Sequence, residues 1–181
     1  ATIISMLAAT DIGKLELAFK SNNIIRIMPN TPIAVGAGVT LFNASKKCDE
    51  KKVKLVLKHF ANSGLIQTDN ERELDTLTTF SGCGPAYLFL FADTLSKKMQ
   101  ELGFSNHTSK ALLDNLFLGS SQLMKSSSLS YNELLDQVTS KGGVTIEAVN
   151  TYRDEGLYLS TSKAIDNALL RTEQINQVLN K

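Results

Sequence analysis

The run Ser140–Thr145, which reads Ser-Lys-Gly-Gly-Val-Thr, has the residue types of a small anion site. Two consecutive glycines allow backbone conformations that other residues avoid, and they leave the amide N–H groups uncovered. The run comes just before a predicted helix, Ile146–Glu155, whose first amides lack intrahelical acceptors and lie at the positive end of the helix dipole. A carboxylate is the kind of group that such a site binds. Taken alone, the run is more often a plain two-glycine stop between helices.

A second candidate is the segment Pro29–Pro32, which reads Pro-Asn-Thr-Pro. It follows the predicted strand Ile24–Met28, and its two prolines prevent the strand from continuing. Open α/β sheets bind ligands just beyond the carboxyl ends of their strands, so the segment is a candidate ligand loop. On sequence alone, a plain turn is an equally frequent interpretation.

Two further patterns lie in the middle of the chain. Glu71 and Asp75 are one helical turn apart, so their carboxylates share a helix face, as an acid/base pair or, more commonly, as a solvated edge. The run Ser81–Pro85, Ser-Gly-Cys-Gly-Pro, contains G-x-G but follows a helix and lacks a third glycine, so it is not a phosphate loop. We expect a kink there that admits close approach of the backbone.

Composition limits the class of protein. The chain has 181 residues, a net charge of +1 without a basic block, and 43% hydrophobic residues, which predicts a packed core. Nothing in it points to nucleic acid or to a membrane surface, and neither a membrane span nor a signal peptide is visible. Cys48 and Cys83 are far apart and have no metal-ligand spacing, so we expect reduced thiols and no metal site. These features predict a cytoplasmic protein.

The first part of the chain alternates short strands with helices, which indicates βαβ units and a mainly parallel sheet. The predicted strands are Thr2–Leu7, Ile24–Met28, Gly38–Phe42 and Leu65–Thr68, and the predicted helices are Asp11–Lys20 and Asp49–Ala61. These elements are too few to cover a doubly wound sheet, and no G-x-G-x-x-G opens the sequence. We therefore expect the chain to begin inside a dinucleotide-binding domain whose first half is missing.

After Asp69 the pattern is helical to the end of the chain. Predicted helices cover Glu71–Phe80, Pro85 to Met99 or Leu102, a segment capped by Ser105 or Asn106, Ser130–Thr139, Thr145–Glu155 and Thr161–Leu179. The helix from Pro85 has apolar residues on more than one face, so it must be covered on several sides. We predict an α/β part at residues 1–69 and an all-α part at residues 70–181 that forms a homodimer.

Taken together, these motifs resemble pyrroline-5-carboxylate reductase in their order and spacing. The motifs are Met28–Pro32, Glu71 with Asp75, Ser81–Tyr87, and Ser140–Ile146. The resemblance covers nearly the whole chain. It implies a Rossmann-like dinucleotide-binding domain, of which this chain has the last part, followed by a helical domain that interlocks with a partner subunit. In this family the glycine-rich cofactor turn precedes the region that the chain resembles.

The resemblance implies an oxidoreductase that reduces 1-pyrroline-5-carboxylate to L-proline with NADPH or NADH, the last step of proline biosynthesis. The 181-residue chain by itself would then be inactive. Its homodimers would often assemble further.

By motif position, the resemblance also assigns residues to the two ligands. The substrate carboxylate would be held by backbone N–H groups of the run, and the Thr145 hydroxyl would lie near the ring nitrogen. The implied substrate-binding residues are Ser140, Gly142, Gly143, Val144 and Thr145. The implied cofactor-binding residues are Met6, Leu7, Ala8, Asn30, Glu71 and Gln137. Thr145 is the catalytic candidate, first as a group that positions the imine and second as a proton donor.

Four positions depart from the family pattern, and two other interpretations remain. Lys141 stands where the family usually has proline, Cys83 replaces a serine, and Leu7 and Ala9 depart from the small Ala-Ala-Gly pattern after the first strand. One alternative is a non-catalytic dimerisation fragment or truncated paralogue. The other is a two-domain hydroxyacid dehydrogenase, which would place a catalytic lysine in its helical half.

Overall fold

The computed structural model describes residues 1–8 and 10–179, so Ala9 lies outside the described residues. The described residues form two compact units, one made of residues 1–87 with the chain from Ala164 onward and the other of residues 88–163. The first, the sheet unit, includes a helix that begins at Glu71. The predicted boundary between residues 1–69 and 70–181 stays a prediction.

The sheet unit contains four strands in the order β1-β2-β3-β4. They are β1 (Ile3–Ser5), β2 (Ile24–Pro29), β3 (Val39–Ala44) and β4 (Gly64–Gln67). β1 pairs with β2 and β3 pairs with β4 in parallel, whereas β2 and β3 are antiparallel. The predicted α/β fold class is confirmed, with a mixed sheet in place of a mainly parallel one.

Connection length explains the antiparallel pair. Helix α1 (Ile12–Phe19) joins β1 to β2, and helix α2 (Glu50–Leu57), extended by a 3₁₀ turn at Lys58–Phe60, joins β3 to β4. Between β2 and β3 there is only the loop 30–38, which holds the 3₁₀ helix Thr31–Val35. A parallel crossover needs about a dozen residues or more, so a loop this short returns the chain in the opposite direction.

Both faces of the sheet are covered. Successive strand residues point to opposite sides of the sheet, so each strand contributes to the packing on both faces. On one face, Ile25 and Ile27 pack with Phe42 and with Val56 of α2. On the other, Ile24 packs against α1, while Met28 and Leu41 pack against Leu74. A strand buried on both faces needs an almost continuous apolar run, which is what Ile24–Met28 supplies apart from Arg26.

Arg26 is the one charged residue of that run, and its side chain is only 1% exposed. Its Nη1 lies 2.7 Å from Glu71 Oε1 and its Nη2 lies 3.1 Å from Asp75 Oδ1. Both carboxylates belong to helix α3 (Glu71–Ser81). Glu71 Oε1 also accepts the N–H of Ile12 at 2.8 Å. Glu71 and Asp75 therefore form neither a solvated edge nor an acid/base pair; they attach α3 to the sheet and to α1.

The Ser-Gly-Cys-Gly-Pro run joins α3 to helix α4 (Gly84–Glu101). The Gly82 N–H donates to the Thr78 carbonyl at 2.8 Å, and a Cβ on Gly82 would lie 2.9 Å from that carbonyl oxygen. This hydrogen bond is the last i→i−4 bond of α3, and the kink expected in this run stays a prediction. The Tyr87 hydroxyl donates to the Thr79 carbonyl at 3.3 Å. Burial raises the pKa of Tyr87, and the neighbouring Cys83 raises it further.

Four further helices follow, and their predicted order is confirmed. They are α5 (Asn106–Ser126), α6 (Tyr131–Val138), α7 (Val144–Asp154) and α8 (Leu157–Leu179). The capping box of Ser130 with Glu133 is present, and hydrogen bonds from Ser130 lower the pKa of Glu133. Helix α8 begins directly after Gly156, whose φ of +78° ends α7, rather than at Thr161 as predicted.

The helical unit, residues 88–163, has a small aromatic cluster and much apolar surface. The ring of Phe91 meets Phe117 and Tyr152 edge-on, with centroids 6.3 and 6.0 Å apart. Most other apolar side chains of the unit are exposed, and we call this set the apolar helical surface. It includes Leu88, Phe89, Leu90, Leu102, Leu116, Leu118 and Leu123. None of the described helices is long and apolar enough to span a membrane.

Removing both counter-charges of Arg26 should destabilise the sheet unit. In the double variant Glu71→Gln/Asp75→Asn the guanidinium stays buried without a carboxylate, which costs about 3–5 kcal/mol of unfolding free energy. Urea denaturation followed by circular dichroism measures the difference. As a control, Asp114→Asn breaks the exposed Lys110–Asp114 pair and should change the value by no more than about 0.5 kcal/mol. Equal stability of the two variants would contradict the role assigned to Arg26.

Candidate active site

The glycine pair of the helical unit forms a tight turn before α7. The Gly143 N–H donates to the Ser140 carbonyl at 2.9 Å, which closes a four-residue turn. Gly142 has a φ of +73°, a conformation that costs a residue with a side chain about 1–2 kcal/mol. A Cβ on Gly143 would collide with the Ser140 side chain. Both glycines are therefore required by the shape of the turn, and the Gly143 amide is used to close it.

The N-terminus of α7 is left without a side-chain cap. Its N-cap is Gly143, which has no side chain to accept a hydrogen bond. Five other described helices begin with an N-cap side chain that accepts a first-turn amide. Those caps are Asp11, Asp49, Asn70, Ser105 and Ser130. The first-turn amides of Val144 and Thr145 therefore face outward at the positive end of the helix dipole, ready for an external anion.

The side chains around this helix start are exposed. Val144 is 89% exposed, and the side chains of Ser140, Lys141, Thr145 and Gln137 are exposed as well. Glu147 lies in the first turn of α7. The helix-start amides and Lys141 favour an anion here, and the Glu147 carboxylate opposes them. The predicted substrate residues and Gln137 thus belong to one short stretch of the helical unit.

The other predicted cofactor residues belong to the sheet unit. Met6, Leu7 and Ala8 follow the carboxyl end of β1 and are exposed, the first two by 63% and 58%. The carboxyl ends of the strands of an open α/β sheet are its usual ligand edge. The structure therefore presents an apolar surface at the position where the sequence predicts the cofactor.

Asn30 organises the loop between β2 and β3. Its side-chain oxygen accepts the Val39 N–H at 2.9 Å, and its Nδ2 donates to the Ser81 carbonyl at 3.0 Å. Gly38, with a φ of +102°, lies so close that a Cβ there would collide with the Asn30 oxygen. The Asn30 side chain thus ties the end of β2 to the start of β3 and to the end of α3.

Glu71 is likewise engaged inside the sheet unit, by the guanidinium of Arg26 and the amide of Ile12. The cluster is completed by a contact from Arg26 Nη2 to the carbonyl of Leu7 at 3.4 Å. Two of the predicted cofactor residues, Leu7 and Glu71, are therefore brought together through Arg26. Arg26 is absent from the predicted cofactor-binding residues. A single charged residue in an otherwise apolar strand is a sequence signal of a buried ion pair, and this signal could have identified it.

Curated relatives share nearly the whole chain. The pyrroline-5-carboxylate reductase of Aquifex aeolicus is 30% identical over 174 residues, which cover 96% of this chain and 66% of the relative. The enzyme of the same name from Synechocystis is also 30% identical, over 97% of this chain and 66% of the relative. The chain thus spans just under two thirds of the length of these relatives.

Solved structures show the same likeness. A Plasmodium falciparum pyrroline carboxylate reductase, crystallised with NADP bound, superposes with a TM-score of 0.87 at 29% identity, over 97% of this chain and 67% of that one. A Coxiella burnetii pyrroline-5-carboxylate reductase superposes with a TM-score of 0.89 at 27% identity, over 96% of this chain and 65% of that one. The described fold is therefore the fold of these enzymes over the shared region.

A family model adds evidence that is independent of any single relative. The model for pyrroline-5-carboxylate reductase dimerisation matches residues 71–175, which is more than half of the 181 residues. The match begins at Glu71, runs through the Ser81–Tyr87 junction and includes the glycine turn with the start of α7. The chain therefore belongs to the pyrroline-5-carboxylate reductase family.

Proposed function

We propose that the protein reduces 1-pyrroline-5-carboxylate to L-proline, the last step of proline biosynthesis, with NADPH or NADH as the reductant. The observation that carries the proposal is the start of α7, where a glycine N-cap leaves the amides of Val144 and Thr145 without a side-chain acceptor. The proposed substrate has a carboxylate of the size that such a helix start accepts. The names of the relatives and the NADP in the Plasmodium falciparum structure support the same reaction.

On this proposal the turn residues divide the work of substrate binding. The amides of Gly142, Val144 and Thr145 donate to the substrate carboxylate. Ser140 and Gly143 hold the turn closed through their 2.9 Å hydrogen bond, so they shape the site. Lys141 adds a positive charge beside it, which favours an anionic substrate.

Thr145 positions the ring nitrogen of the substrate. Its hydroxyl can donate a hydrogen bond to a neutral imine nitrogen or accept one from the N–H of a protonated imine. A neutral hydroxyl is a poor acid, so the proton on the product nitrogen comes from water or is already on the imine. The hydrogen bond holds the imine in one orientation, and orientation is a large part of what this reaction needs.

The residues at the end of β1 fit a dinucleotide. The exposed apolar surface of Met6, Leu7 and Ala8 suits the flat face of a ring, at the edge where open sheets bind ligands. Glu71 holds the Ile12 amide, and Asn30 holds the end of β2 against the start of β3 and the end of α3. These two residues and Gln137 are further proposed contacts of the dinucleotide. When bound, the dinucleotide supplies the hydride.

A second copy of the chain is the proposed partner, as a homodimer or a larger homo-oligomer. The apolar helical surface supports this, because side chains such as Phe89 and Leu90, each 67% exposed, need cover in water. The family model that matches these helices is named for dimerisation. We also propose a cytoplasmic location, which the free thiols of Cys48 and Cys83 support.

The proposed reaction is tested by following the absorbance of NADPH and of NADH with 1-pyrroline-5-carboxylate. The assay compares the product of the intact gene with the 181-residue chain. We expect the gene product to oxidise the dinucleotide and the 181-residue chain to be inactive. Activity of neither would overturn the proposal in favour of a non-catalytic dimerisation module. Activity of the 181-residue chain would overturn only the expectation that it is inactive alone.

Thr145→Val should lower kcat of the gene product by about 10- to 100-fold, since one hydrogen bond to a charged group contributes about 1.5–3 kcal/mol. The fold should be unchanged, because the Thr145 side chain is exposed. Steady-state kinetics with matching thermal melts measure both. Thr145→Ser keeps the hydroxyl and should retain most of the activity. Unchanged turnover in the valine variant would remove Thr145 from the mechanism.

Leu90→Glu should convert the oligomer to monomers or to a smaller assembly, because a carboxylate placed in the apolar helical surface must be desolvated when two copies associate. Light scattering coupled to size exclusion measures the mass. Gln100→Glu adds the same charge at an exposed polar position of α4 and should leave the mass unchanged. An unchanged mass for Leu90→Glu would place the interface elsewhere.

A further inference from the structure

The connection from β1 to α1 is tied at both ends to one charged cluster. At its start, the Leu7 carbonyl accepts from Arg26 Nη2 at 3.4 Å. At its end, the Ile12 N–H donates to Glu71 Oε1 at 2.8 Å, and the same oxygen lies 2.7 Å from Arg26 Nη1. Arg26 therefore reaches one end of the connection directly and the other through Glu71.

The start of α1 is also closed by its own cap. Asp11 accepts the Lys14 N–H at 2.7 Å, while Glu71 takes the Ile12 amide. Carboxylates of the protein already occupy this helix start, so it offers no free anion site of the kind seen at α7. What the cluster does here is hold the backbone of Leu7 and of Ile12.

We propose that Arg26 is a positioning residue for the dinucleotide. It fixes the backbone of Leu7 and, through Glu71, that of Ile12, and so sets the apolar surface that the nicotinamide dinucleotide contacts. This inference rests on the proposed function, and it adds a residue that touches neither substrate nor cofactor.

The role needs arginine rather than positive charge alone. The planar guanidinium serves Glu71, Asp75 and the Leu7 carbonyl at the same time, because its donors point in fixed and different directions. A lysine at this position would keep the charge but offer a single nitrogen on a flexible stem. Arg26→Lys therefore separates the geometry of the cluster from its charge.

The test uses the intact gene product and three variants. Arg26→Lys changes the geometry. Asp75→Asn weakens the ion cluster without removing a contact to Leu7 or Ile12. Val56→Ala destabilises the face of the sheet opposite the cluster, where Val56 packs with Ile25, Ile27 and Phe42. The dissociation constants of NADPH and NADH come from fluorescence titration, and the Michaelis constants and kcat come from the reductase assay. Hydrogen exchange then compares the exchange rates of the amides of residues 10–12 with those of the amides of β3.

For Arg26→Lys we expect the dissociation constant and the Michaelis constant for the dinucleotide to rise by about tenfold or more, as for small misplacements of a binding surface. The Michaelis constant for the imine substrate should change by less than about threefold on the same reasoning. Exchange should accelerate at residues 10–12 but not in β3. Val56→Ala should lose thermal stability and keep dinucleotide affinity within about twofold, because Val56 packs on the opposite face of the sheet and has no partner in the ion cluster. Asp75→Asn should lose thermal stability and raise the dissociation constant by less than Arg26→Lys does, because it weakens one partner of Arg26 Nη2 and keeps the contacts to Leu7 and Ile12.

Three results would overturn the inference, and they can be told apart. If the unsubstituted protein binds both dinucleotides and Arg26→Lys binds them equally well, Arg26 has only a structural role and the proposed function stands. If the unsubstituted protein binds neither dinucleotide, the proposed function fails and this inference fails with it. A loss of affinity in Val56→Ala as large as that in Arg26→Lys would show a general effect of stability, which also overturns the inference.

Discussion

The guanidinium of Arg26 has lost almost all contact with water, and such burial costs several kcal/mol per ion unless counter-charges and hydrogen bonds replace the solvent. The Glu71 and Asp75 carboxylates of α3 and the Leu7 carbonyl after β1 take the place of water around the guanidinium. Since the partners lie 45 and 49 residues away along the chain, the charge can be satisfied only when these elements are already in place. Apolar side chains can bury a similar area in several alternative packings. The ion cluster, in contrast, is satisfied only when α3 and the end of β1 have the positions that they have here.

The starts of α1 and α7 differ in how their first amides are satisfied. Helix α1 satisfies its first amides internally, with Asp11 and Glu71. Helix α7 has a glycine N-cap, which costs only a few tenths of a kcal/mol relative to a good cap and leaves its amides open. On the proposed function, the closed start supports a surface and the open start binds a charge. The lack of a cap is therefore a feature of the site rather than a weakness of the helix.

Local patterns predict the elements well and their long-range contacts poorly. The alternation of strands and helices and the capping box of Ser130 follow from neighbours within a few residues. The antiparallel pairing of β2 and β3 follows from the short loop 30–38. The prediction of a mainly parallel sheet relied on the general alternation of strands and helices and gave this loop length too little weight. Glu71 and Asp75 differ, because spacing within α3 shows that they share a face but cannot show what that face meets. That face meets the buried Arg26, which lies 45 and 49 residues away along the chain, and a contact between residues so far apart cannot be predicted from local spacing.

Helices α6 and α7 flank the glycine turn, and neither has a buried side chain. A helix of 8 or 11 residues is marginal in water by itself, since most helical stability in proteins comes from the packing of an apolar face. The free energy that holds the glycine turn in shape must therefore come largely from surfaces that cover the apolar helical surface. In the proposed homodimer, the partner subunit supplies that cover. The equilibrium that orders the glycine turn is therefore coupled to the equilibrium of dimer association. Substrate binding and association would then strengthen each other, because each favours the ordered start of α7.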